Sequence, residues 1–170
     1  MPKGDYELQL TVDDVSQIIG QITIGGRDRM FARPAVTVPL TATVDKSIEL
    51  LGYQFDTQCL QPGSQLSVTI FWQARNILPE KYTVFVQLID ANQQVVAQHD
   101  SQPQDGLAPT DSWAGGEYVV DEHRLNLPPT LAGEYHLIVG MYRPDTGERL
   151  PIYTDNGETD ALTLAMFELN

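Results

Sequence analysis

The chain has 170 residues, 42% of them hydrophobic, which is enough to bury a core by packing alone. Its 23 acidic residues outnumber the 10 basic ones, and the formal net charge of -13 repels nucleic-acid phosphates and anionic lipid head groups instead of gathering them. Neither nucleic acid nor a membrane surface is expected as a direct partner, and the lone cysteine, Cys59, rules out an internal disulfide or a multi-cysteine metal site and reads as a small buried hydrophobe.

From the first residues the dominant period is two. In "MPKGDYELQL" a strand pattern begins almost at once, as if the start were a cut point in a larger protein, and residues 1–20 carry neither the basic n-region nor the apolar h-region of a secretory signal. Tyr6, Leu8, Leu10 and Val12 alternate with polar residues, and "IIGQITIG" follows as a second apolar strand. Further alternating sets are Val36, Val38, Leu40 and Val44, then Leu66, Val68, Ile70 and Trp72, then Tyr82, Val84, Val86 and Leu88, and finally Tyr135, Leu137, Val139 and Met141. Turn residues punctuate them in "TIGGRDR", "QPGSQ", "DANQQ", "WAGGE", "LPPTLAGE", "RPDTGER" and "TDNGETD". No apolar run approaches the roughly 20 residues of a membrane-spanning helix. About ten strands and no substantial helix predict an all-β, antiparallel immunoglobulin-like β-sandwich, with a closed barrel as the alternative.

Two stretches echo one another. "KGDYELQL" and "AGEYHLIV" share Gly, acid, Tyr, a polar residue and Leu in order, and each precedes a second apolar strand, "IIGQITIG" and "ALTLAMFEL". Residues 1–30 are accordingly read as a strand pair, either the final hairpin of a preceding copy of the same module or a cover for the domain's own edge, and 31–170 as the main sandwich. The Tyr of the second echo, Tyr135, follows a crossover through Leu127, Pro128 and Leu131, where its hydroxyl can clasp the backbone.

Chemistry-bearing residues concentrate in "HDSQPQDGLAPTDSWAGGEYVVDEHRLNLP", residues 99–128. On a strand, Asp121 and His123 share one face with Val119, Leu125 and Leu127, while Glu122 and Arg124 share the other with Tyr118 and Val120. An acid beside a histidine can orient an imidazole for base catalysis, which makes Asp121 and His123 the candidates for a hydrolase. No Gly-x-Ser-x-Gly elbow or Ser-x-x-Lys supplies a nucleophile. His99 and His123 with Asp100 or Asp121 could form a two-histidine, one-carboxylate metal set, but the spacing matches no ligand signature, and no metal is assigned. Trp113, alone among Gly and Ser in the loop, is either a plug pinning it or a sugar-stacking platform assisted by Tyr118, His99 and Asp121. Trp72 reads as core. The acidic loop "TDNGETD" offers Asp155, Asn156, Glu158 and Asp160 to Ca²⁺, although it lacks the order of an EF-hand and reads first as a solvated turn; no cofactor is expected.

The run from "LLGYQFDTQCLQPGSQLSVTIFWQA" through "VFVQLID", "AQHD", "PTDSW" and "VVDEH" to "YRPDTGERLP" resembles the C-terminal extracytoplasmic β-domain of large multi-spanning bacterial membrane proteins. These are glycosyltransferases of the dolichyl-phosphate-mannose type and related uncharacterised membrane proteins. The resemblance spans roughly residues 50–152. It implies a module attached to an enzyme and carries no catalytic residue to any position here, because the acids of such transferases belong to their transmembrane part. The expected function is a non-catalytic accessory, recognition or spacer domain of a larger extracytoplasmic or membrane-anchored protein. Its expected partners are the rest of that polypeptide and a glycan or another protein. A carbohydrate-binding module using Trp113 and a hydrolase using His123 and Asp121 are the alternatives.

Overall fold

A computed structural model describes residues 4–56 and 60–169; Cys59 lies outside them. Among the described residues twelve strands form three antiparallel sheets. β1 (Gly4–Val12) and β2 (Val15–Ile24) make a hairpin of their own. Asp13 and Asp14 turn it with φ of 44° and 67°, the left-handed pair that a two-residue hairpin loop needs.

The sandwich consists of two sheets. Six strands run in the order β11 (Gly157–Thr159), β10 (Ile152–Thr154), β3 (Val38–Val44), β4 (Ile48–Phe55), β5 (Gln65–Ala74), β8 (Tyr118–Asn126). Four run in the order β12 (Leu162–Leu169), β9 (Gly133–Tyr142), β6 (Thr83–Asp90), β7 (Val95–Ser101). Three of the alternating sets in the sequence become inner faces: Leu66, Val68, Ile70 and Trp72 of β5 face Val84, Val86 and Leu88 of β6 and Leu137, Val139 and Met141 of β9 in one core, whereas Leu8, Leu10 and Val12 are exposed and the Val36–Val44 set is buried fully only at Val44, with Val38 exposed. Face-to-face packing of two sheets follows from period-two burial on both of them.

Two elements depart from simple alternation. β4 is buried on both faces over Leu50–Tyr53, so the middle of its sequence, "LLGY", carries no polar residue and shows no alternation. β6 also buries its outer residues Phe85 and Ile89, which join Ile138 in a small second cluster. The Arg149 guanidinium lies 4.4 Å from the centre of the Phe85 ring, and Tyr142 stacks on the same ring at 6.4 Å, so a cationic and an aromatic lid replace a third sheet.

Hydroxyls tie the layers. Tyr135 donates to the Ala132 carbonyl and accepts from the Ala132 N–H, both at 3.1 Å, which is the clasp anticipated at the start of β9. Tyr53 on β4 donates to the Leu164 carbonyl on β12, linking the two sheets. The segment 25–37 returns from the hairpin to the sandwich, where Met30 bridges to Tyr118 and its carbonyl accepts the Tyr118 N–H at 2.8 Å.

Candidate functional site

The crossover from β7 to β8, residues 102–117, closes one open side of the sandwich, where β7 and β8 are the edge strands of opposite sheets. β8 alternates as its sequence requires. Val119, Asp121, His123 and Leu125 point inward and are buried, while Glu122 and Arg124 are exposed and paired with each other at 3.0 Å. In the sheet Asp121 stands opposite Ile70 and His123 opposite Val68, so an acid and an imidazole occupy positions an aliphatic side chain would normally fill. From β7, His99 stands opposite Val86 and reaches across to them.

The result is a row of four polar side chains. Asp121 Oδ1 accepts the Gln104 N–H at 2.7 Å, and Asp121 Oδ2 lies 2.9 Å from His123 Nε2. His123 Nδ1 lies 3.0 Å from His99 Nδ1, with the rings edge-on at 72°. His99 Nε2 ends the row 3.6 Å from Asp105. A carboxylate only accepts, so His123 Nε2–H donates to Asp121; Nδ1 of His123 is then the acceptor for His99 Nδ1–H. The buried part of the row, from the Gln104 N–H through Asp121 and His123 to His99 Nδ1–H, is thus fully paired, as buried polar groups require, while His99 Nε2 and Asp105 face each other at its partly exposed end without a hydrogen bond. Gln104 completes it by donating its side-chain N–H to the Val120 carbonyl at 3.0 Å.

This geometry brings together Asp121, His123 and His99 but not in a form that holds a metal. Asp121 and His99 approach opposite nitrogens of His123, so their donor atoms do not converge on one point, and no group of three or more metal-ligating side chains occurs among the described residues. Asp100 lies on the outer face of β7, where burial of its surroundings raises its carboxyl above the ordinary range, opposed by a hydrogen bond from Tyr142. Nor is a nucleophile aligned: Ser101, two residues from His99 on the same face of β7, has a buried hydroxyl with no partner among the described residues. A cleft of about 330 Å³ adjoins the row, lined by His99, Gln104, Asp105 and the outer-face residues Val120, Glu122 and Arg124. Asp121 and His123, with no exposed surface, do not reach it.

Trp113 is 2% exposed, and its indole N–H donates to the Ala108 carbonyl at 2.7 Å. It follows a single 3-10 turn, Thr110–Ser112, whose Thr110 hydroxyl donates to the Glu80 carbonyl and accepts the Tyr82 N–H. The indole therefore pins the crossover, and no ring face is left for a pyranose; this corrects its reading as a stacking platform. Tyr118 is half-buried on the outer face of β8, turned away from Asp121 and His123. In the acidic turn Asp155, Asn156, Glu158 and Asp160 are all exposed, Asp160 faces Arg149 at 3.7 Å, and the turn is closed by Thr154 Oγ1 donating to the Gly157 carbonyl.

One polar residue that period-two reading does not single out is Glu117. It is fully buried, accepts the Ala114 N–H at 2.9 Å, and pairs with Arg29 at 2.6 Å and with Arg27. In sequence it is one more acid in a Gly-rich turn; its partners lie some ninety positions earlier, in the segment that leads in from the hairpin.

Comparison with protein-family models and with curated proteins gives no match to this chain.

Proposed function

We propose that this chain is a non-catalytic accessory, spacer or recognition module of a larger extracytoplasmic or membrane-anchored protein of the glycosyltransferase-associated kind, built on an immunoglobulin-like sandwich. The carrying observation is the inward row Asp121–His123–His99, which directs its hydrogen bonds to its own members and to the Gln104 N–H of the 102–117 crossover instead of to a substrate. The Tyr135 clasp supports the immunoglobulin-like description. Against a hydrolase stands the lack of an aligned nucleophile beside His123, and against a carbohydrate module built on Trp113 stands the burial of that indole. The partners of the module are the remainder of its own polypeptide and a glycan or protein engaged through its surface.

The reading frame around residues 1–170 tests this proposal. Transmembrane or signal segments in the same frame are the expected result, and a frame with neither sinks it. Titration of the chain with an oligosaccharide panel, followed by tryptophan fluorescence, addresses the carbohydrate alternative; both indoles are buried, and no spectral response is expected.

A further inference from the structure

The β1–β2 hairpin has one apolar face that is largely exposed among the described residues. Residues opposite one another in an antiparallel pair share a face, so Tyr6, Leu8, Leu10, Val12, Val15 and Ile22 lie together, with Asp5, Glu7, Gln9 and Thr11 on the other side. Leu8 is 46% exposed, Leu10 52%, Val12 58%, Val15 72% and Ile22 45%. Neither strand of the hairpin is hydrogen-bonded to a strand of the sandwich, so the pair does not cover an edge of its own domain.

What the hairpin matches is the β9–β12 pair of the sandwich, residue by residue. Gly4 opposite Ile24 corresponds to Gly133 opposite Leu169, Tyr6 opposite Ile22 to Tyr135 opposite Phe167, and Leu8 opposite Gly20 to Leu137 opposite Ala165. Immediately after that step the register of both pairs slips by one residue on the second strand, leaving Ile19 unpaired in one and Leu164 in the other. Pairing then resumes as Gln9 with Ile18 and Ile138 with Thr163. Both first strands open on a glycine at positive φ, 151° at Gly4 and 101° at Gly133. A shared bulge at one step and a shared left-handed glycine are independent of the alternating pattern that any two strands have in common. The connections differ: Asp13–Asp14 joins β1 to β2 directly, and 143–161, which holds β10 and β11 of the six-stranded sheet, joins β9 to β12.

In the sandwich, the free edge of β9 is filled by β6, and its apolar face is covered by the six-stranded sheet, so Leu137, Val139 and Met141 have no exposed surface. Their counterparts Leu8, Leu10 and Val12 lack that cover. We propose that β1–β2 is the closing strand pair of a second sandwich of this same kind. Its remaining strands precede the hairpin in the polypeptide and supply a β6-like strand to the edge of β1 and a larger sheet to the face formed by Tyr6, Leu8, Leu10, Val12 and Ile22. Segment 25–37 is then the joint between consecutive units, fastened by Arg27 and Arg29 on the buried Glu117.

Amide hydrogen exchange at residues 5–24 reads this directly, in the 170-residue chain and in the polypeptide extended upstream along its own reading frame. In the extended protein, hairpin exchange slows by roughly 100-fold or more, toward that of β9 and β12, because these amides then open only with a cooperative unit. Leu8→Asp in the extended protein restores fast exchange at 5–24 and leaves 38–169 unchanged. Three results overturn the proposal: an upstream frame with no alternating strand pattern, exchange equally fast in both proteins, or protection that arises in the 170-residue chain with concentration and coincides with a dimer in sedimentation, which assigns the face to a second copy. The inference rests on the reading above that the chain is a module of a larger polypeptide. A frame with membrane segments but no second sandwich defeats this inference alone.

Discussion

Asp121 and His123 sit between Val68 and Ile70 on one side and the crossover on the other, where their value depends on being present together. Asp121→Ala strands the His123 ring N–H and the Gln104 backbone N–H in a buried site, and a loss of about 3–5 kcal/mol is expected in urea denaturation. The double replacement Asp121→Leu with His123→Leu removes both buried polar groups while keeping apolar volume, and is expected to cost far less than Asp121→Ala alone. A double variant as damaged as the sum of two single ones would show that the row is not a coupled pair. Trp113→Phe, which deletes the bond to Ala108 while keeping an aromatic plug, is expected to cost about 1 kcal/mol in the same measurement. Trp113→Ala is expected to cost about 3–5 kcal/mol. The shared face of Asp121 and His123 was legible because alternation on a strand is local geometry. The meeting of His99 with His123 and Asp121 was raised from the sequence only as a metal set, because the hydrogen-bonded row depends on where the crossover places Gln104; that Glu117 is buried under Arg27 and Arg29 depends on chain segments far apart in sequence, and a turn acid carries no local mark of its partner.

At the level of elements, β5 and β9 were readable because one face of each is apolar and the other polar or covered late in the chain. β4 was not, since burial on both faces erases the alternation, and β10 and β11, at three residues each, are too short to show a period. β9 carries a glycine in its interior for a reason that only the sheet reveals. Gly140 stands opposite Phe85, whose ring lies over it, and a Cβ there would come within 2.6 Å of Phe85 Cε1 and 2.9 Å of the Asp160 carbonyl. Gly140→Ala is therefore expected to displace the Phe85 ring from beneath Arg149 and to cost about 1–3 kcal/mol by thermal or denaturant unfolding. Unchanged stability would mean that the ring has room to move. The β6–β7 turn depends on charge instead. Asp90 Oδ1 accepts the Gln94 N–H at 2.8 Å and the Asn92 N–H at 2.9 Å, and these bonds, the Gln94 one foremost, lower its pKa from the ordinary value of 3.8. A depressed folded pKa gives stabilisation that is complete above the unfolded pKa and fades as pH falls through the folded one, so the turn is expected to loosen only below about pH 4. Exchange rates at Asn92 and Gln94 measured across that range check it, and Asp90→Asn should remove the dependence.

For the whole molecule, the division of labour between hairpin and sandwich makes opposite demands on two sites. Glu117 belongs to the sandwich, yet its charge is balanced entirely by arginines of the incoming segment, among partners with 15% and 40% of their side-chain surface exposed. Glu117→Ala leaves Arg27 partly buried without a counter-charge and frees the Ala114 N–H, and about 3–5 kcal/mol of destabilisation is expected, together with faster proteolysis within 25–37. Leu10→Asp acts on the other side of that joint. Leu10 is absent from the sandwich core, and a charge on the exposed face should leave the unfolding free energy of the 170-residue chain within about 0.5 kcal/mol of the parent. The same substitution should lower the chain's tendency to self-associate, because it interrupts the contiguous apolar surface of an open-edged hairpin. Light scattering on concentrated samples separates these effects. Stability lost in Leu10→Asp would mean that the hairpin folds back on its own sandwich, and stability kept in Glu117→Ala would mean that the joint is not what orients the hairpin.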